Sequence, residues 1–443
     1  MPKTLQHPAR LVPMAFLFAI LAGTGLLMLP ISSANEAGAP FLTALFTATS
    51  AVCVTGLIVE DTPTYWSGFG QGVILALFQI GGFGIMSGAT LLGYLVSRRL
   101  KLTSRLIAQA ETRSLAPGDI LALLRLILLV TVVIELAMAA FLCVRLHYAY
   151  GEPWDAAAWH GLFHAVSAFN NAGFSTYSDN LVGFAADPLV LGPIMVAVIL
   201  GGIGFPVLSD IRRDPRRPAR WSLHTKITLL GTGMLLPGGM LIVLAYEWSN
   251  PATLGTLDPA AKLLGAAFHS SMTRTAGFNA FDIGQLRPET LAVSYGLMLI
   301  GGGSAGTAGG IKVTTFLVLA LVVWAEIRGE PDVNAFGRRI SRNVQRQALS
   351  VVLLAVVLVG AATLALLSVS DFALEDVVFE VISAFATVGL STGITAQLPP
   401  TGQLVIMFLM FVGRVGTITA ATSLALNTKK TLYRYPEERP IVG

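Results

Sequence analysis

Charge and cysteine are scarce in this sequence. Only 12% of its 443 residues are Asp, Glu, Lys or Arg, whereas a soluble domain needs roughly 25% to cover its surface. The two cysteines, Cys53 and Cys143, lie far apart in apolar stretches, which argues against a disulfide framework and against CxxC-type metal sites. Hydrophobic residues make up 54% of the chain, in blocks of about 20 that match the thickness of a bilayer. The composition indicates a polytopic α-helical membrane protein.

The apolar blocks predict eight membrane spans. They fall at about 11–31, 71–97, 120–144, 189–209, 227–246, 291–325, 348–369 and 402–426. Between alternate pairs lie semi-polar stretches of roughly 12 residues, the length of a re-entrant half-helix rather than of a crossing; they are 41–52, 157–169, 261–272 and 374–386. We interpret the first span as a retained helix and not a signal peptide, because no convincing small-residue cleavage site lies near Leu29 to Ser33.

The order span, half-helix, span occurs four times and divides the chain into four repeats. They cover residues 1–113, 114–222, 223–345 and 346–443. The third repeat has a broken second span, and the fourth carries the C-terminal tail. We expect an all-α fold in which four covalently linked helix–pore-loop–helix repeats surround one central pore.

Basic residues predict the orientation of the chain. The N-terminus, the loops 98–113, 212–226 and 328–346, and the C-terminus together hold 22 of the 29 Lys and Arg residues. The positive-inside rule places these segments and both termini in the cytoplasm, and the half-helices on the outer side of a cell membrane. The outer segments carry 14 acidic but only 4 basic residues, and such a negative vestibule would concentrate cations.

The end of each half-helix carries one repeated motif. It runs from Phe through small residues to Gly and then one large apolar residue. The four copies are Phe46 to Gly56, Phe163 to Gly173, Phe268 to Gly277 and Phe379 to Gly389, so the Phe-to-Gly offset is 10 residues in three copies and 9 in the third. A tight turn alone would predict neither four copies nor their shared outer location.

This motif is suited to holding a cation by its backbone. Non-helical chain at membrane depth must line a cavity or be buried in protein, and Gly permits the left-handed dihedrals of an inward-pointing run. Four converging strands of carbonyl oxygens can replace the hydration shell of a monovalent cation. The candidate filter residues are Val54, Thr55, Gly56, Asn171, Ala172, Gly173, Thr275, Ala276, Gly277, Thr387, Val388 and Gly389.

A glycine-rich stretch interrupts the sixth apolar block. It consists of Gly301, Gly302, Gly303, Ser304, Ala305, Gly306, Thr307, Ala308, Gly309 and Gly310. It also fits the patterns GxGxxG and GxSxG, but both require a strand of an α/β sheet, and the flanks here are membrane helix. Six glycines in ten positions must break the helix, since each costs about 1 kcal/mol relative to Ala. We expect a flexible loop below the filter that acts as a gate.

Several ionisable residues near membrane depth need partners. Arg414 in the last span should face the pore or a carboxylate, with Glu135 the nearest intramembrane acid, although a contact between the two is left open. Lys312 follows the loop and is expected to cap its carbonyls. Arg274 should point away from the ions and brace the third half-helix. His160 and His164 have metal-ligand spacing, but packing or a hydrogen bond is the favoured reading because no third ligand is apparent.

Together these motifs resemble the Trk/Ktr/HKT superfamily of potassium transporters, whose architecture is potassium-channel-like. The likeness covers nearly the whole chain and is greatest to the Ktr-type membrane subunit (the KtrB family). The third filter, Thr273 to Phe278, and the stretch Gly301 to Phe316 are similar to that family's filter and intramembrane gating loop. In that family one Gly per filter suffices for selectivity, without a full potassium-channel signature, and this chain departs from the channel signature in the same way.

The resemblance implies potassium uptake through the filter, with a gate formed by the loop, Lys312 and Arg414. It also implies a homodimer in membrane lipid, bound to a cytosolic nucleotide-binding ring (KtrA/TrkA-like). The transported ion would be K⁺, and neither a covalent cofactor nor a nucleic-acid partner is expected. Dependence on sodium ions is left open. An alternating-access carrier is the alternative, but it should show inverted repeats. A membrane-embedded enzyme would need a catalytic pair at membrane depth, which the sequence lacks.

Overall fold

The computed structural model describes residues 8–99 and 120–416, and this part of the chain is mostly helical. Its α-helices are α1 (Pro8–Leu27), α2 (Phe41–Val52), α3 (Thr62–Tyr65), α4 (Gly68–Arg99), α5 (Ile120–Tyr150), α6 (Trp154–Asn170), α7 (Pro188–Ile203), α8 (Phe205–Arg213), α9 (Leu223–Glu247), α10 (Pro259–Met272), α11 (Pro288–Leu299), α12 (Val313–Ile327), α13 (Arg342–Leu367), α14 (Leu374–Ala386) and α15 (Pro400–Phe411). A π-helical turn, Val412–Gly416, extends α15. Two short antiparallel strands, β1 (Asn334–Ala335) and β2 (Arg338–Arg339), form a hairpin between α12 and α13.

The four half-helices are α2, α6, α10 and α14. The bounds of α2 and α14 match the predicted ones, whereas α6 and α10 begin two or three residues earlier than predicted. Their starts carry the expected signals, since Pro40 and Pro153 precede α2 and α6, and the Asp258 carboxylate accepts the Ala260 N–H at the start of α10. Each helix then ends at the non-helical filter segment.

Three helices in the described part of the chain are long and apolar enough to cross a membrane alone: Leu124–Tyr150, Leu223–Glu247 and Arg342–Leu367. Helices α7 and α8 would form a fourth span, but they meet at an angle of 95°. The predicted span at 189–209 is therefore broken near its end, a bend that was not predicted. Gly204 has φ = +98°, which a side chain would strain, and Pro206 follows it.

Apolar side chains cover both the inside and the outside of the bundle. Phe46, Phe163, Phe268 and Phe379, which begin the repeated motifs, are fully buried. On α13, by contrast, residues such as Val356, Val357 and Leu364 are largely exposed. An apolar outer surface of this kind is suited to lipid rather than to water. The half-helices are consequently surrounded by the longer helices.

Candidate ion pathway

Each filter segment has the same alternation of backbone conformation. The residue two before the glycine is left-handed in all four copies, with φ of +55° at Val54, +58° at Asn171, +70° at Thr275 and +52° at Thr387. The glycines Gly56, Gly173, Gly277 and Gly389 are left-handed too, with φ between +71° and +93°. The residues between them (Thr55, Ala172, Ala276, Val388) are not. Non-glycine residues rarely adopt φ > 0, so four equivalent instances identify one shared conformation.

The four segments close into a ring. A Cβ atom added to Gly56 would lie 3.1 Å from the Cα of Gly173, one on Gly173 would lie 3.0 Å from Gly277, one on Gly277 would lie 3.1 Å from Gly389, and one on Gly389 would lie 3.1 Å from Gly56. Each such atom would also collide with the carbonyl oxygen of the residue before the next glycine. The ring therefore brings a backbone carbonyl of every repeat to one place, and only glycine fits at its four corners.

Serine side chains tie three of these segments to their half-helices. The hydroxyl of Ser50 accepts the N–H of Gly56 at 3.1 Å, and Ser383 accepts the N–H of Gly389 at 3.1 Å. Ser167 instead donates to the carbonyl of Phe174 at 2.8 Å. The sequence reasoning missed these residues, although Ser stands four positions after the motif Phe in three repeats; the third repeat has Met272 there.

A cavity of about 480 Å³ opens on the side of the ring away from the gate loop. It is lined by all four filter glycines and by the carboxylate residues Asp61, Asp179 and Asp282. Its lining, among the described residues, includes neither Lys nor Arg. A mouth with this charge attracts cations toward the carbonyl ring.

The glycine-rich residues 301–310, which are predicted to act as a gate and are named the gate loop for that reason, lie against the other side of the ring. The Thr307 hydroxyl donates to Asn171 Oδ1 at 2.8 Å, and the Gly309 N–H donates to Thr275 Oγ1 at 3.2 Å. A Cβ on Gly309 would collide with the Thr387 side chain. Most of the loop is buried, with only Ser304 and Ala305 partly exposed. The loop thus contacts the inner end of three of the four filter segments.

Three cationic side chains hold this loop by its carbonyl oxygens. Arg414 donates to the carbonyl of Thr307, and Lys312 donates to that of Ala308. The expectation that Lys312 caps loop carbonyls agrees with this geometry. The expectation that Arg274 braces its half-helix was wrong, because it donates from Nη2 to the carbonyl of Gly301 at 3.0 Å and so braces the loop.

Glycines also let the inner spans pack on the half-helix ends. A Cβ on Gly81 would collide with the carbonyl of Val52, one on Gly201 with that of Phe169, and one on Gly413 with that of Phe385. These contacts were not predicted. A sequence signal for them was present, because a Gly-Gly pair recurs in the second span of three repeats: Gly81-Gly82, Gly201-Gly202 and Gly301-Gly302. In the fourth repeat Gly413-Arg414 stands at the corresponding place.

Glu135 and Arg414 do not meet in the described structure. Glu135 instead accepts hydrogen bonds from the side-chain amides of Gln79 and Asn170. His164 bonds to Ser175 Oγ at 3.0 Å, and His160 to Thr176 Oγ1 at 2.6 Å. No group of three His, Cys, Asp or Glu residues in the described ranges is arranged to hold a metal ion.

The surrounding helices and the ring of backbone carbonyls from four repeats define a membrane transport protein of the pore-loop class. The model of the TrkH family, described as cation transport protein, matches residues 2–432, and the chain belongs to this family. The resemblance to the Trk/Ktr/HKT superfamily is thereby confirmed, and the protein is a transporter and not an enzyme.

Curated relatives and a solved structure agree with this membership. The chain is 41% identical over 436 residues to the Ktr system potassium uptake protein B of Bacillus subtilis, covering 98% of this chain and 97% of that protein. It is 36% identical to the potassium/sodium uptake protein NtpJ of Enterococcus hirae, covering 98% and 97%. The potassium transporter TrkH of Vibrio parahaemolyticus superimposes with a TM-score of 0.73 at 16% identity, covering 96% and 86%, and so has the same fold.

Proposed function

We propose that this chain carries potassium ions into the cell through the glycine ring. The observation that carries the proposal is the cyclic contact of Gly56, Gly173, Gly277 and Gly389. Relatives of nearly equal length that are named as potassium uptake proteins support the choice of ion. One relative named for potassium and sodium leaves room for a role of sodium ions.

Ion selection would rest on the backbone of the filter. The carbonyl oxygens of Thr55, Ala172, Ala276 and Val388 lie beside the ring glycines, where they replace water around a dehydrated cation. The half-helices end at the filter, so the negative ends of their dipoles favour a positive charge there. Asp61, Asp179 and Asp282 raise the local cation concentration at the mouth.

Passage would be controlled by the gate loop. The loop bonds to filter side chains Asn171 and Thr275 and is held by Arg414 and Lys312. An ion leaving the filter toward the inner side has to pass this segment. Release of the Thr307 and Ala308 carbonyls from their cations is the change that opens it.

Regulation would arrive from the cytoplasm. Relatives named as components of a Ktr system imply a separate regulatory subunit. We place this nucleotide-binding ring against the cytoplasmic loops, beneath a homodimer of the chain in the plasma membrane with both termini inside. The hairpin of β1 and β2, with its exposed Arg338 and Arg339, joins α12 to α13, and so connects such a ring to the helix that follows the gate loop.

Rubidium uptake by potassium-starved cells tests the proposal. Cells expressing the chain should take up rubidium faster than cells without it, and excess potassium should inhibit this uptake more strongly than excess sodium. Uptake indistinguishable from that of the empty cells, with the protein present in the membrane, rejects the function. An alternating-access carrier would instead show fluxes that saturate at carrier turnover and no unitary currents in a planar bilayer.

A further inference from the structure

A buried carboxylate lies behind the second filter segment. Glu135, in the middle of the apolar helix α5, is only 5% exposed. It has no ion-pair partner among the described residues. An acid at membrane depth is costly to bury and is retained chiefly where it serves a function.

Glu135 belongs to a hydrogen-bonded cluster with two amide side chains. Its Oε2 accepts from Gln79 Nε2 at 3.1 Å, and its Oε1 accepts from Asn170 Nδ2 at 3.0 Å. The Asn170 amide also donates to Gln79 Oε1 at 2.5 Å and to the carbonyl of Val166 at 2.9 Å. The cluster joins α4 of the first repeat, α5 of the second and the last residue of half-helix α6.

Asn170 adjoins the filter residue that contacts the gate loop. Asn171 follows it in a left-handed conformation, and its Oδ1 accepts from Thr307. A side chain fixed at 170 restricts the backbone rotation that directs the 171–173 carbonyls. The Oδ1 atom of Asn170 packs directly against the backbone of Gly82. A Cβ atom at position 82 would collide with it.

We propose that Glu135 is a positioning residue for ion selection. Through the Asn170 amide it holds the second filter segment at the spacing that favours potassium over sodium, without itself contacting the ion. This inference rests on the proposed potassium uptake. The other three segments have Cys53, Arg274 and Ala386 at the position of Asn170, so the second segment alone is held in this way.

The first test is Glu135→Gln in the full-length chain, measured as the ratio of rubidium to sodium uptake in proteoliposomes. The substitution keeps the shape but turns one acceptor oxygen into a donor that faces an amide N–H. The ratio should fall about tenfold, the effect of losing one hydrogen bond to a charged group.

A second test displaces Asn170 without substituting any residue of the cluster. Gly82→Ala places a methyl group against Asn170 Oδ1 and should lower the same ratio. Gly84→Ala, on the same helix, is the matched control, because its nearest neighbour would be Phe16 at 3.7 Å, and it should leave the ratio unchanged.

The outcomes separate this inference from the proposed function. If the unmodified chain takes up no rubidium, the proposed function fails. If it does, and Glu135→Gln carries flux with an unchanged ratio, the positioning role of Glu135 is wrong. If Glu135→Gln does not fold, Gly82→Ala decides alone.

Discussion

The guanidinium of Arg414 donates a hydrogen bond to the backbone carbonyl of Thr307, a residue 107 positions earlier in the chain. The same Thr307 donates its hydroxyl to Asn171 Oδ1 and its N–H to the carbonyl of Gly201. One loop residue therefore connects the final span, the second filter segment and the bend of α7 into α8. A displacement of Thr307 has to break all three of these bonds.

Replacing Arg414 with Gln should raise potassium flux. The change removes both a charged hydrogen bond to the loop, worth about 1.5–3 kcal/mol, and a positive charge near the ion path. Uptake of rubidium into proteoliposomes should increase about tenfold with little change in ion preference. Arg328→Gln, at an exposed position after α12, is the control. A folded variant with reduced flux would argue against the gating role.

Substituting Ser at a ring glycine should weaken the preference for potassium over sodium. At Gly173 and Gly389 the new side chain meets the backbone of the next segment, which cannot move aside as a side chain can. Competition of sodium with rubidium uptake measures the effect. Gly393→Ser provides the control, since its φ is also positive, at +98°, but its Cβ would meet nothing within 4 Å. Unchanged selectivity at both ring positions would refute the filter assignment.

Shortening the gate loop should increase maximal flux while preserving ion choice. A deletion of Thr307 and Ala308 removes the two carbonyls that Arg414 and Lys312 hold. Initial rates of rubidium uptake and the sodium competition should be measured together. Complete loss of transport in a well-folded deletion variant would show that the loop is structural instead.

The start of α7 should contribute pH-dependent stability. Asp187 accepts hydrogen bonds from Arg145 Nε at 2.9 Å, from the Tyr150 hydroxyl at 2.9 Å and from the Leu189 N–H at 2.8 Å. Burial raises the pKa of Asp187, but the bond from Arg145 and the other hydrogen bonds outweigh it, so its pKa lies below the ordinary 3.8.

A carboxyl with a lowered folded-state pKa stabilises the protein above its unfolded pKa, and this stability is lost as pH falls through the folded value. Asp187→Asn should therefore cost about 1–2 kcal/mol at neutral pH. The deficit should vanish well below pH 3.8. Thermal unfolding in detergent at the two pH values checks this, with the exposed Asp371→Asn as control. A deficit that persists at the lower pH would contradict the assignment.

Neutralising Arg338, Arg339 and Arg342 together should uncouple nucleotide response from flux. These exposed residues lie on β2 and at the start of α13. This segment follows α12, the helix that comes directly after the gate loop. Transport should be measured with the regulatory subunit and nucleotide present. Neutralising Arg216, Arg217 and Arg220 removes equal charge from another exposed loop and should retain the response. Full nucleotide control in purified protein reconstituted alone would overturn this prediction.

The sequence predicted the local elements well because their signals are local. The half-helices 41–52 and 374–386 have the predicted bounds, since Pro40 and the apolar-to-polar changes mark them in adjacent residues. The break of the 291–325 block into α11 and α12 likewise follows from its glycines. The bend at Gly204 was missed because the block around it is uniformly apolar, although the Gly204-Phe205-Pro206 signal was present.

Contacts between distant segments could not be predicted from one sequence. Arg274 reaches Gly301 across 27 positions, and Gln79 reaches Asn170 across 91. A side chain's partner depends on which helices become neighbours, and residue type alone does not specify that. Arg414 was recognised as needing a partner, with Glu135 as the nearest acid, but Arg414 bonds to the carbonyl of Thr307 and Glu135 to two amides.

The contact between Gly389 and Thr55 also orders the events of biosynthesis. It joins the first quarter of the chain to the last, so the ring stays open while the intervening helices emerge from the ribosome. A prematurely terminated chain lacks one wall and cannot coordinate an ion on all sides. The ring is thus complete only once the fourth repeat has been synthesised.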